Sequence, residues 1–81
     1  MRARILFFGM LRDVVGKSVE EGEFPEGASL QSVFDVYRAR YPRLSELSGS
    51  IVMARNQEFA ALSTIVEEGD EIAFLPPVSG G

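Results

Sequence analysis

Cysteine and histidine are both missing from this 81-residue chain. Without cysteine there is no disulfide and no thiolate nucleophile. Without histidine there is no imidazole for a catalytic triad, and zinc sites built on either residue are excluded as well. Long apolar runs are missing too. The longest, Ile5 to Leu11, has seven residues counting Gly9, whereas a membrane-spanning helix needs roughly 20. Arg2 and Arg4 ahead of that run sketch a secretory leader, but Arg12 and Asp13 follow at once and no small-residue cleavage site is present. The chain therefore reads as cytoplasmic. Positive charge is scarce: eight Lys plus Arg against twelve Asp plus Glu give a net charge of −4. Neither nucleic acid, which wants a basic stripe, nor a membrane is an expected partner. Whatever chemistry the chain takes part in must use carboxylates, hydroxyls, amines or its own ends.

What is present is an ordinary globular composition, 46% apolar and 25% charged, with room for one core and one domain. A domain of this size buries only roughly 60% of its unfolded surface, so a partner that covers an apolar face would add stability. Residues 2–8 alternate as a strand does. Ala3, Ile5 and Phe7 share one face; Arg2, Arg4, Leu6 and Phe8 share the other, which turns apolar toward its end. This predicts a central strand that finishes covered on both faces. Gly9 ends it. Met10 to Val15 reads as a short helical turn closed by Gly16. Lys17 to Phe24 is a weaker strand, antiparallel to the first because the link is too short for a crossover. Pro25-Glu26-Gly27 is a turn.

Ser29 is a good N-cap. After it, Leu30, Val33, Phe34, Tyr37 and Tyr41 recur at the spacing of one helix face. Arg38 and Arg40 suit the C-terminal end of that helix, and Pro42 is expected to stop it. Leu44 and Leu47 are expected to tuck a short irregular turn onto the core. Ile51 to Arg55 predicts a strand, Asn56-Gln57 a turn, and Glu58 to Leu62 a brief edge strand. Glu67-Glu68-Gly69-Asp70 is a turn, and Glu71 to Leu75 is the last strand, ended by Pro76-Pro77. The first and last strands are the most apolar, which makes them the expected sheet centre, running parallel, with the helix across one face. That arrangement is an α+β, ubiquitin-like β-grasp with a mixed sheet. The reading is a single domain over residues 1–75 and a flexible tail over residues 76–81.

The tail is Pro76-Pro77-Val78-Ser79-Gly80-Gly81. A Pro-Pro pair favours an extended path, and two glycines carry no side chains. Extended, six residues reach roughly 20 Å. Such an end can thread into another protein's active site and place its carboxylate there, where side chains at positions 80 and 81 would block a narrow channel.

Leu6-Phe7-Phe8-Gly9 with Leu11-Arg12, the segment Gly69-Asp70-Glu71-Ile72-Ala73-Phe74, and Pro76-Pro77-Val78-Ser79-Gly80-Gly81 together resemble the MoaD/ThiS sulfur-carrier family. Within it, the chain is most similar to the small subunits of molybdopterin synthase. The resemblance runs end to end. It implies that a MoeB-like, ubiquitin-activating-like adenylyltransferase uses ATP to adenylate Gly81, and that a sulfur donor enzyme converts the adenylate to a thiocarboxylate. It also implies that the tail enters a MoaE-like large subunit, where sulfur passes to cyclic pyranopterin monophosphate, with two carriers on a dimer of large subunits. Gly81 then carries the sulfur, Gly80 lets the tail pass, and Phe8, Leu75, Pro76, Pro77, Val78 and Ser79 meet the partner. The carrier is not catalytic alone; it is the sulfur-donating subunit of a sulfurtransferase. No cofactor or metal is expected on it, and ATP belongs to the activating partner. The alternative is a ubiquitin-like carrier or modifier for another pathway: thiamine synthesis, tRNA thiolation or lysine conjugation. Arg55 and Leu75 depart from the family pattern, which favours an apolar residue and an aromatic there.

Other features have plainer readings. Glu67, Glu68, Asp70 and Glu71 form an acidic group that reads as a solvated turn rather than a metal site. Phe7, Phe8 and Phe74 read as core, with a partner surface near Phe8 and Leu75 as the competing assignment. Arg38, Arg40 and Arg43 read as dipole complement rather than an anion site. Ser79 has no base to activate it.

Overall fold

The computed structural model describes residues 1–76. Among them the chain forms β1 (Arg2–Phe7), α1 (Met10–Val15), β2 (Val19–Glu23), α2 (Leu30–Arg40), α3 (Pro42–Glu46), a 3₁₀ turn (Ser48–Ser50), β3 (Val52–Arg55), β4 (Glu58–Phe59) and β5 (Glu71–Leu75). The sheet order is β2-β1-β5-β3-β4. β1 and β5 pair in parallel and β2 runs antiparallel to β1, while β3 lies antiparallel to both β5 and β4. With α2 packed across one face, this is the β-grasp arrangement expected from the sequence.

The period-2 pattern puts Ala3, Ile5 and Phe7 of β1, Ile72 and Phe74 of β5, and Met53 of β3 on the helix side, where all are buried. α2 answers with Leu30, Val33, Phe34 and Tyr37. Aromatic rings join the two layers. The Phe74 ring lies 5.2 Å from Phe7, 5.6 Å from Phe34 and 5.5 Å from Tyr37, centroid to centroid. Such tilted, edge-on and offset contacts suit the ring quadrupoles. Each large side chain that leaves water here contributes about 1.5–3 kcal/mol.

Local chemistry sets the ends of α2. The Ser29 hydroxyl accepts from the Ser32 N–H at 3.2 Å, and the Ser29 N–H donates back to the Ser32 hydroxyl at 3.4 Å. The Tyr37 hydroxyl donates to Glu20 of β2 at 2.6 Å, and the Arg40 guanidinium donates to the same carboxylate at 3.0 Å. This seals the far end of the helix onto the edge strand. Burial pushes the Glu20 carboxyl up, but the bonds from Tyr37, Arg40 and Lys17 outweigh it and hold the pKa at about 2. The same burial and the bond to Glu20 push the Tyr37 hydroxyl up.

Three expectations need correction. Pro42 does stop α2, but it also starts α3, which carries the buried Leu44; a helix was not expected there. Proline suits the first position of a helix because its missing N–H has no partner there and its φ is already helical. The edge strand is two residues long, not five, because only Ala54↔Phe59 and Arg55↔Glu58 pair. The face of β1 that carries Leu6 and Phe8 is not covered: Leu6 is half-buried and Phe8 is 45% exposed. Phe7 and Phe74 are core; Phe8 is not.

Candidate functional site

The open face of the sheet is built by the same alternation that fills the core. Register sets Val19, Leu6, Ala73, Ala54 and Phe59 in one row across all the strands, on the side away from α2. The next row toward the C-terminal ends of β1 and β5 holds Val52 and Leu75, with Phe8 one step beyond the end of β1. Val19, Phe8, Val52 and Phe59 are exposed, and Phe59 is 78% so. Two small residues in mid-row, Ala73 and Ala54, leave a trough. A groove of about 250 Å³ runs there between Leu6, Phe8, Ala54, Ala73, Leu75 and Phe59, with Gln57 and Glu71 also lining it. A second hollow of about 530 Å³ adjoins it, lined by Val52, Phe59, Leu75 and Pro76. Apolar patches of this kind mark interaction surfaces on soluble domains.

The other half of the open face is charged. One row sets Glu21, Arg4 and Glu71 side by side, and the next sets Arg2 against Glu23, with an ion pair at 3.1 Å. The face is thus divided, charged toward the start of β1 and apolar toward its end.

The apolar end is also where the chain leaves the sheet. Because β1 and β5 are parallel, Phe8 and Leu75 finish at the same edge, and the Phe8 N–H donates to the Phe74 carbonyl at 3.2 Å. Gly9 follows with φ 54°, a left-handed backbone that side chains resist. A Cβ there would meet the Pro76 Cγ at 2.9 Å. Gly9 therefore lets the ring of Pro76 settle beside the end of β1. Of the residues expected to meet a partner, Phe8, Leu75 and Pro76 come together here. Pro77, Val78, Ser79, Gly80 and Gly81 lie outside the described residues.

The structure adds two contributors that sequence reading did not single out, Val52 and Phe59. Their signal was available: Val52 and Ala54 alternate with Met53, and Phe59 sits two residues past the turn. Which alternate set faces the helix depends on pairing with β5, which no local pattern reveals.

The arginines of α2 and α3 are committed elsewhere. Arg38 pairs with Asp35 at 2.9 Å, Arg40 with Glu20, and Arg43 with Glu46 at 3.9 Å. The acidic turn is not simply solvated, which corrects the expectation for it. Asp70 is only 6% exposed and accepts from Arg55 Nε at 2.6 Å, Asn56 Nδ2 at 3.0 Å and the Glu67 N–H at 2.7 Å. Burial pushes the Asp70 carboxyl up, but these donors outweigh it and leave it below the usual carboxylate range. The unexpected Arg55 is thus the partner of a buried acid. Among the described residues, no three acidic side chains are arranged to hold a metal ion. Nor is any helix there long and apolar enough to cross a membrane.

Against known families, residues 5–81 match the ThiS family. The chain belongs to the ThiS family. Its relatives include a molybdopterin synthase sulfur carrier subunit from Mycobacterium tuberculosis, 37% identical over 82 residues that span 100% of this chain and 99% of that protein. Among solved structures, SAMP1 from Haloferax volcanii superposes with a TM-score of 0.85 at 30% identity, covering 100% of both chains. A chain from the protein–protein complex of subunits 1 and 2 of the molybdopterin-converting factor from Helicobacter pylori superposes with a TM-score of 0.70. It is 26% identical, with 100% of both chains covered. The ubiquitin-like β-grasp of the ThiS family is therefore the fold of this chain.

Proposed function

We propose that this chain is the sulfur-carrier small subunit of molybdopterin synthase. The observation that carries the reading is end-to-end similarity to a molybdopterin synthase sulfur carrier subunit. The geometry supports it: the apolar half of the open face ends at the root of the Gly-Gly tail, so docking and delivery share one edge. The partner for that face is the MoaE-like large subunit. The Helicobacter pylori neighbour, itself from a complex of the two subunits, supports that choice. Two carriers on a dimer of large subunits is the proposed assembly, testable by mass measurement after size exclusion.

In this reading the reactive group is the Gly81 carboxylate. A carboxylate is a poor electrophile at neutral pH. Adenylation with ATP, by a MoeB-like enzyme, supplies a leaving group, and a sulfur donor displaces AMP to leave a thiocarboxylate. That sulfur then attacks cyclic pyranopterin monophosphate within the large subunit. No Cys or His is needed on the carrier, because acid/base work belongs to its partners. ATP and a reduced sulfur donor favour the cytoplasm as the site of this work.

The test is an intact mass after incubation with the activating enzyme, ATP and a sulfur donor. The expected result is a gain equal to exchanging one oxygen for sulfur. Deletion of Gly81 is expected to leave the fold intact and abolish loading; loading that survives would remove the terminal-carboxylate mechanism. A second reading, conjugation to lysines as a protein modifier, is supported by the likeness to SAMP1, the small archaeal modifier protein 1 of Haloferax volcanii. An unchanged mass with a ladder of larger conjugates would favour it.

A further inference from the structure

The β3–β4 hairpin carries Phe59, the most exposed large apolar side chain among the described residues, on its outer strand; β3 is paired with β5 over four residues, but little backbone holds β4. Two residue pairs make its ladder, extended by the Ala60 N–H donating to the Met53 carbonyl at 3.2 Å. An edge strand with so short a ladder opens locally unless something else holds it. Its turn takes positive φ at two residues that are not glycine, Asn56 at 51° and Gln57 at 70°, the pattern of a tight hairpin turn.

Side chains supply what the ladder lacks. From the hairpin, Arg55 and Asn56 both donate to the buried Asp70 carboxylate, and Arg55 Nη2 also donates to Glu67 at 2.7 Å. Asn56 is bound on three sides. Its Oδ1 accepts from the Glu71 N–H at 3.0 Å, and its own N–H donates to the Glu71 carbonyl at 2.7 Å. The hairpin is thereby tied to the turn that leads into the central strand β5. The Arg55–Asp70 part of the tie lies apart from the docking face, whereas Glu71 also lines its groove. Arg55 is in register with Ile72, in the helix-side row, whereas Phe59 is in register with Ala54, in the open row.

We propose that Arg55 and Asn56 are positioning residues for partner docking: by locking the β3–β4 hairpin to Asp70, they hold Phe59 ready for the large subunit without touching it. The inference rests on the docking reading above. An aromatic anchor that is already immobilised loses less entropy on binding, so freeing its hairpin weakens the complex even though no contact is removed.

A double-mutant cycle tests this, with the full chain titrated against the molybdopterin synthase large subunit of the same genome. Asn56→Gly keeps a residue that accepts positive φ while deleting both side-chain bonds, so the turn survives and only the tie is lost. Asn56→Gly is expected to raise Kd about five- to tenfold, and Phe59→Ala to raise it about tenfold or more. In the Phe59→Ala background, Asn56→Gly is expected to add almost nothing, because the anchor it positions is gone. Arg55→Met is expected to show the same coupling, and its thermal melt reports whether it folds. Equal losses from Asn56→Gly in both backgrounds would mean a general structural role and overturn the proposal. Binding weakened by Phe59→Ala but untouched by Asn56→Gly would overturn it alone. A large subunit that fails to bind the wild type, or that ignores Phe59→Ala, overturns the docking reading with it.

Discussion

The two faces of the sheet are made from the same five strands and both carry large apolar side chains, yet those side chains end in different states. On the helix side, Phe7, Ile72, Phe74 and Met53 are sealed under α2. On the other, Phe8, Val52 and Phe59 remain in water. The chain has one long helix to spend among the described residues, and it can cover one face. Apolar composition therefore has two meanings in this small domain. Where an internal layer answers it, it specifies the fold; where none does, it stays in water, the surface proposed above for a partner.

The largest effect should come from breaking the sealed face. Phe74→Ala empties the centre of the aromatic cluster and is expected to cost about 3–5 kcal/mol, read by urea unfolding. Docking by whatever fraction stays folded should be unchanged. The converse experiment is Phe8→Ala on the open face. It is expected to leave stability within about 1 kcal/mol and to weaken binding of the large subunit about tenfold, or about 1.4 kcal/mol. A variant that loses stability but binds normally would mean that Phe8 belongs to the core after all.

The smallest effect concerns the rim of the sealed face. The Glu20 carboxyl sits below its ordinary value, at about 2 against 4.5. A depressed carboxyl contributes stability that is fully present above the unfolded value and is lost as pH falls through the folded one. Acid titration of the melting temperature should therefore show a decline between about pH 4.5 and 2, and Glu20→Gln should reduce it, leaving the share of the likewise depressed Asp70. An unaltered acid limb would place the loss on other carboxylates.

How much of this could be read in advance follows from the range of each signal. β1, α2 and β5 were legible because their periodicities are local and their ends are marked by Gly9, Ser29 and the Pro-Pro pair. The β-grasp order followed from the apolar content of the first and last strands. α3 was not legible, since Pro42 ends one helix and begins another with the same ring. The fate of Phe8 was ambiguous because alternation groups residues by face without saying which face a helix will cover. The bond between Arg55 and Asp70 was invisible for a different reason: the two are 15 residues apart, and only the antiparallel register of β3 with β5 brings them together. As sequence alone, one looked like a departure from a family pattern and the other like part of a solvated turn.

The rows of the open face have one more consequence. A nearly flat sheet could receive a partner in two orientations related by half a turn, and only one would bring the tail to its destination. Here the ends are unlike: Arg2 with Glu23 and Glu21 with Arg4 and Glu71 at one, Leu6, Leu75 and Phe8 at the other. A partner seated the wrong way round would set apolar surface on fixed charges and strand them without water. On the docking proposed above, the face would work as a compass as well as an adhesive: its polarity along the strands would give a bound partner a heading toward the edge from which Pro76 departs.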